Sequence, residues 1–230
     1  EICIDTKGVQ LAKCPAISEN SLPETNQKDS VTIVSNYSTI QKSELFDKIT
    51  ADYKIIAGAD ETYYIATRNN SYGVFNNKFD VIVPFEYSLI EKMNIGPMVY
   101  LKAEKAGLKG ILFGTGSPYL AVENSRLQYV KAVDGSSYFI FTKDGQTGLK
   151  NNKYLNVVET IYSDIVYDDA GGFVLTASNI YKGFFFLNQT VLLPRFADVK
   201  PLAGGKYVMV KTSEGKWGYV NSSLMEFFED

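Results

Sequence analysis

Short apolar runs alternate with short polar turns along this chain, and the alternation has a period. Five glycines each stand before an apolar residue or run: Gly73 before Val74-Phe75, Gly110 before Ile111-Leu112, Gly148 before Leu149, Gly183 before Phe184-Phe185 and Gly218 before Tyr219-Val220. The steps between these glycines are 37, 38, 35 and 35 residues. A near-constant step of this size marks a repeat architecture in which each unit is one small supersecondary element.

Each unit reads the same way. The glycine opens a short strand. A polar turn follows at Asn76-Asn77, Gly114-Thr115-Gly116, Asn151-Asn152, Asn188-Gln189 and Asn221-Ser222. Asn and Gly tolerate the positive φ that tight hairpins demand. A second apolar strand comes next, at 81–83, 119–122, 157–158, 191–193 and 224–228. Pro84 and Pro194 are expected to stop it in two repeats, because proline donates nothing to a ladder. An apolar or aromatic residue and an aliphatic one three positions on then predict a third strand: Tyr87 and Ile90, Leu127 and Val130, Tyr162 and Ile165, Phe196 and Val199. A turn rich in glycine or acid leads to a fourth strand at 98–101, 138–141, 173–175 and 207–210. Four short strands cannot bury a face alone, so the units must stack on one another.

The first 70 residues fit a stretched version of this unit. Residues 1–12 predict an N-terminal hairpin turning at Asp5-Thr6-Lys7-Gly8, while Phe46 with Ile49, and Tyr63 to Ile65, supply the later strands. Between them lies an insertion, 13–44, rich in Ser, Asn, Glu and Lys and carrying Pro15 and Pro23. It reads as loop, with a short strand at 31–34. A loop of that length is functional or disordered. The chain is thus expected to be one all-β domain over 1–230: hairpin 1–12, insertion 13–44 and about five repeats over 45–230. The preferred arrangement is a propeller-like ring sealed by the N-terminal segment. The alternative is an open β-solenoid.

These residues resemble the WG-repeat family, bacterial β-rich repeats named for a Trp-Gly pair followed by an apolar pair, a polar turn, an apolar strand and often proline. Trp217-Gly218 keeps the full dipeptide, whereas Tyr72, Lys109, Thr147 and Lys182 stand where Trp would be. Tyr162-Ser163-Asp164-Ile165 and Phe196-Ala197-Asp198-Val199 approach the family's later motif with the acid displaced. The resemblance implies a bacterial origin, often in exported proteins, and implies no reaction and no catalytic residues.

Composition narrows the chemistry. Thirty aromatics of two kinds, 16 Tyr and 14 Phe, favour strands. A formal net charge of −3 and the lack of a basic stripe argue against nucleic acid. No apolar run is long enough to be a transmembrane helix. The chain begins at Glu1 rather than Met, which is read as a processed or trimmed form. Cys3 and Cys14 are either a disulfide in an exported protein or two reduced thiols in a cytoplasmic one. Histidine is absent, which removes His-dependent triads and the commonest metal ligand. No metal or cofactor site is read.

Candidate chemistry is weighed against plainer readings. Gly114-Thr115-Gly116-Ser117 resembles a phosphate loop but lacks its Lys and falls in a hairpin turn. Asp168 and Asp169 could act as acid and base, or cap a solvated turn before Gly171-Gly172. Asp164 and Asp198 recur at one position of the repeat and suggest a repeat-specific bond. Tyr63, Tyr138, Phe173 and Tyr207 begin the fourth strand and are expected in the core. Tyr37, Tyr53, Tyr119 and Tyr154 lie off that pattern and are the ligand-binding candidates. Gly73, Gly110, Gly148, Gly183, Trp217 and Gly218 are read as structural, with Trp217 largely buried between repeats.

The functional expectation is a non-catalytic binding module, exported to the periplasm or cell surface, whose partner is a protein or a surface glycan. A carboxylate-dependent hydrolase of glycan or peptide is the alternative, and a structural domain of a larger protein is a third. Two converging carboxylates would favour the hydrolase. A flat aromatic patch would favour binding.

Overall fold

The computed structural model describes residues 45–229 apart from 57, 154 and 179, together with the backbone of two short strands near the start. These two, β1 (Cys3–Ile4) and β2 (Gln10–Leu11), pair antiparallel with Cys3 opposite Leu11, as the hairpin expectation has it. The insertion 13–44, the thiols of Cys3 and Cys14, and the candidates Tyr37 and Tyr154 lie outside the described residues and side chains. By its contacts the chain separates into two units, Glu1–Ser38 and Thr39–Asp230.

The second unit is all strand and turn among its described residues. Its strands form five four-stranded antiparallel meanders in tandem. The first sheet is β3 (Lys48–Tyr53), β4 (Tyr63–Arg68), β5 (Ser71–Asn76) and β6 (Val81–Tyr87). The second is β7 (Leu89–Ile95), β8 (Met98–Lys105), β9 (Leu108–Phe113) and β10 (Pro118–Asn124). The third is β11 (Arg126–Lys131), β12 (Ser137–Lys143), β13 (Gln146–Asn151) and β14 (Asn156–Tyr162). The fourth is β15 (Asp164–Asp168), β16 (Gly172–Ala177), β17 (Tyr181–Phe186) and β18 (Val191–Phe196). The fifth is β19 (Asp198–Pro201), β20 (Tyr207–Lys211), β21 (Trp217–Asn221) and β22 (Glu226–Phe228). Among the described residues no helix is long and apolar enough to cross a membrane.

The periodic glycine lies in the third strand of every sheet, and its role is close approach. In the first four sheets the register against the outer strand breaks at this point. Thr147 pairs with Tyr162 and Leu149 with Val158, so four steps of β14 cover two of β13; Lys182–Phe196 and Phe184–Leu192 repeat the pattern. The bulged outer strand folds down over the glycine. A Cβ on Gly183 would stand 2.7 Å from the Pro194 nitrogen, and one on Gly110 2.7 Å from Val122 Cα. Neither separation is tolerable, so no residue with a side chain fits. Pro84 and Pro194 lie within β6 and β18 and do not end them. The outer strand is an edge, so the missing N–H breaks no ladder bond there.

The hairpin turns are closed by buried asparagines. Asn76 Oδ1 accepts from the backbone of Lys78 and Asp80, Asn151 Oδ1 from Lys153 and Leu155, and Asn221 Oδ1 from Ser223 and Met225. One side chain thereby replaces two missing backbone partners. Sheets join through a single residue whose N–H bonds the next sheet: Ser88 to Glu104, Ser125 to Thr142, Ser163 to Thr176 and Ala197 to Lys211.

Each sheet packs a leading face on the sheet that follows it in sequence. Leu101, Ala103 and Leu112 of the second sheet meet Ile65, Val74 and Val83 of the first. Phe139 of the third meets Tyr100, Ile111 and Tyr119. Phe173, Leu175 and Phe185 of the fourth meet Ile140, Leu149 and Val158. Val208, Val210 and Val220 of the fifth meet Phe184, Phe186 and Leu192. The trailing face of the first sheet carries its own aromatic cluster, with Phe46 stacked on Phe75 at 4.0 Å. Among the described residues no core cluster joins the first and fifth sheets. The tandem all-β repeat of four-stranded sheets is as expected.

Candidate binding face

Strand alternation sends successive side chains to opposite faces. In the fifth sheet Val199, Val208, Val210 and Val220 turn back onto the fourth sheet, with Phe228 against the same cluster. Lys200, Tyr207, Met209, Lys211, Trp217, Tyr219 and Phe227 therefore face the other way. Lys200 lies opposite Met209, Met209 opposite Tyr219, and Tyr219 opposite Phe227, so these four form one row across all four strands. Lys211 lies opposite Trp217 in the adjoining row.

Register shows how unusual this face is. The residue just after the periodic glycine is Val74, Ile111, Leu149 and Phe184 in the first four sheets, and each is 0% exposed. In the fifth it is Tyr219, 46% exposed. The outer-strand partner of that residue is Val83, Leu120, Val158 and Leu192 in the first four sheets, and each packs in a core cluster. In the fifth it is Phe227, 49% exposed. Tyr207 is exposed as well, although its counterparts Tyr63 and Tyr138 are buried as expected. Trp217 is 39% exposed, which corrects the expectation that it fills a gap between repeats. Its backbone position is the structural one. Its side chain points to the leading face, and it belongs to none of the core clusters among the described residues.

The charge on this face is positive. Lys200 Nζ sits 4.9 Å and Lys211 Nζ 5.7 Å from the centre of the Trp217 ring, both as cation–π contacts. Among the described residues neither lysine makes an ion pair, although Asp198 stands opposite Lys211 across the strands and Lys200 also helps to hold the Asp198 carboxyl low. Asp198, at the start of the sheet, is already held by Lys182 at 2.7 Å. That hydrogen bond holds its carboxyl below the usual range. Glu226 is paired with Arg195. Glu214 and Lys216, in the turn between β20 and β21, offset each other.

The other sequence candidates are placed differently. Tyr53 and Tyr119, expected at the surface, are buried. Tyr53 Oη donates to the Gly114 carbonyl at 2.7 Å, tying the first sheet to the second, and burial pushes its pKa well up. Tyr119 Oη donates to the Asn151 carbonyl, while Lys150 Nζ lies 4.4 Å above the Tyr119 ring. Both tyrosines are struts between sheets. Gly116 has φ +87° and its N–H closes a turn onto the Phe113 carbonyl, so the apparent phosphate loop is a hairpin turn. An apolar recess of about 180 Å³ beside it, lined by Ile55, Met98 and Phe113 among others, includes no ionisable side chain. Asp168 Oδ1 accepts from the Ala170 N–H at 2.8 Å and caps its own turn. The recurrent acids Asp164 and Asp198 form ion pairs between sheets, with Arg126 and Lys182, each at 2.7 Å. Among the described residues no group of three potential metal ligands exists.

Sequence reasoning missed Tyr219, Phe227 and Met209, and assigned Tyr207 to the core. A signal was present. The fifth repeat places larger aromatics at leading positions where three earlier repeats carry Val, Ile or Leu after the glycine. No protein-family model matches this chain, and no curated protein matches it significantly.

Proposed function

We propose that this chain is a non-catalytic binding module of the WG-repeat type, exported from a bacterial cell, whose contact surface is the leading face of the fifth sheet. One observation carries the reading: positions buried in the first four sheets are exposed aromatics in the fifth. Exposed contiguous apolar surface on a folded domain marks an interaction site. Trp, Tyr, Phe and Met are the residues enriched at such contacts. The remaining sheets act as a rigid support, since their leading faces are spent on one another.

The test uses Trp217, the sole tryptophan, as its own reporter. Protein and polysaccharide probes are titrated while its emission is followed. A binding probe should shift that emission in the wild type, and Tyr219→Ala should abolish both shift and binding. Probes that bind without changing Trp217 emission, and equally well to Tyr219→Ala, would place the site elsewhere and sink the reading.

A further inference from the structure

We infer that the partner of this face is an acidic polypeptide surface: its carboxylates meet Lys200 and Lys211, and its apolar side chains cover Tyr219 and Phe227. This rests on the fifth sheet's leading face being the contact surface. Charge is the first argument. The chain as a whole is acidic, at −3, yet this face presents Lys200 and Lys211 against the single acid Asp198, which stands opposite Lys211 and is already ion-paired with Lys182. The nearest acids, Asp198 and Glu226, are each engaged with a cation of the fourth sheet. The positive charge is therefore local, and complementary charge is what steers and orients a partner at such a surface.

Shape separates a polypeptide from a sugar. A glycan would stack a ring on an open aromatic face. The Trp217 ring already carries two ammonium groups. The Met209, Tyr219 and Phe227 row stands on the same two-residue grid as the leading faces of the other sheets. Each of those four accepts interdigitating side chains from a facing strand surface. This grid suits an incoming polypeptide.

A second copy fits less well, because both opposed faces would carry the same excess of lysine.

The experiment titrates the full chain with four defined polymers: a random Glu–Tyr copolymer, poly-glutamate, a random Lys–Tyr copolymer and polygalacturonate. Trp217 emission and calorimetry report binding, and ultracentrifugation reports self-association. The Glu–Tyr copolymer is expected to bind and shift the emission. Lys200→Glu combined with Lys211→Glu should weaken it by roughly tenfold or more, about 1.4 kcal/mol. Tyr219→Ala should do the same, and Lys131→Glu, exposed on the third sheet, should not. Circular dichroism checks that each variant is folded. Poly-glutamate should bind at least about tenfold more weakly than the copolymer, since it lacks the apolar component. Equal binding of the Lys–Tyr copolymer through Tyr219 would overturn the acidic partner while leaving the binding face intact. Tighter binding of polygalacturonate would overturn it in favour of an acidic glycan. Concentration-dependent dimers abolished by Tyr219→Glu would overturn it in favour of a second copy. No binding by any polymer would overturn the acidic partner, and an emission that stays unchanged with every protein and glycan probe would remove the face as well.

Discussion

The leading faces of the fourth and fifth sheets have the same backbone grid and opposite fates. Phe184 and Tyr219 each follow the periodic glycine, and each pairs with an outer-strand residue, Leu192 or Phe227. Phe184 is 0% exposed because Val208, Val210 and Val220 of the fifth sheet lie on it. Tyr219 is 46% exposed. An aromatic at one repeat position is thus core or surface according to its neighbour, and its type and spacing do not decide which. The difference also separates stability from recognition. Substitutions between the fourth and fifth sheets should unfold the protein. Substitutions on the open face should leave it folded and blind.

Gly183→Val is the harshest break. Its side chain would collide with the backbone of β18, which cannot move without opening the bulge. A loss of about 4 kcal/mol or more is expected, read as a large fall in melting temperature or as insoluble protein. Unchanged melting would show that the bulged strand yields.

Phe184→Ala against Tyr219→Ala tests the comparison itself. The first empties a buried site and should cost about 3–5 kcal/mol. The second removes a half-exposed ring and should cost below about 1 kcal/mol. Chemical denaturation of the two variants side by side decides it, and equal costs would mean that the fifth sheet's face is covered in solution.

Trp217 sharpens the same point by spectroscopy. Its emission should be red-shifted and quenched by iodide, because the ring edge meets water. Trp217→Ala should cost about 1 kcal/mol, the scale of two exposed cation–π contacts. Blue-shifted, protected emission would return it to the core.

The smallest expected effect concerns the tie between the two sheets. Lys182 holds the Asp198 carboxyl below its ordinary pKa. A depressed folded pKa contributes stability above the unfolded value, near 3.9, and that contribution fades as pH falls through the folded value. Asp198→Asn should therefore cost up to about 1 kcal/mol at pH 7. Wild type and variant should converge in acid, below the folded pKa. A gap that persists at the lowest pH at which both stay folded would assign the loss to packing.

Much of the architecture was legible in the order of residues. The glycine step located all five sheets, because at that point of the third strand the outer strand comes too close for a Cβ, under a bulge in the first four sheets and against Phe227 and Phe228 in the fifth. The turns were legible from Asn76, Asn151 and Asn221, whose short amides satisfy the backbone locally. The site was not legible in the same way. Tyr53 and Tyr119 looked like surface residues because they fell outside the recurring strand start. Yet each places its ring on a face that the next sheet covers and its hydroxyl on that sheet's carbonyl. Trp217 looked like core because it held the repeat's most distinctive position.

Local chemistry therefore determined the unit. Periodic apolar positions, a glycine without Cβ and asparagine-closed turns act within one sheet and within about 40 residues. They are readable without knowing what lies beside the sheet. Only tertiary structure decided which faces are covered, because burial depends on whether another sheet packs against the face. That is why the same two-residue alternation yields a core between the fourth and fifth sheets and a positively charged aromatic surface on the fifth.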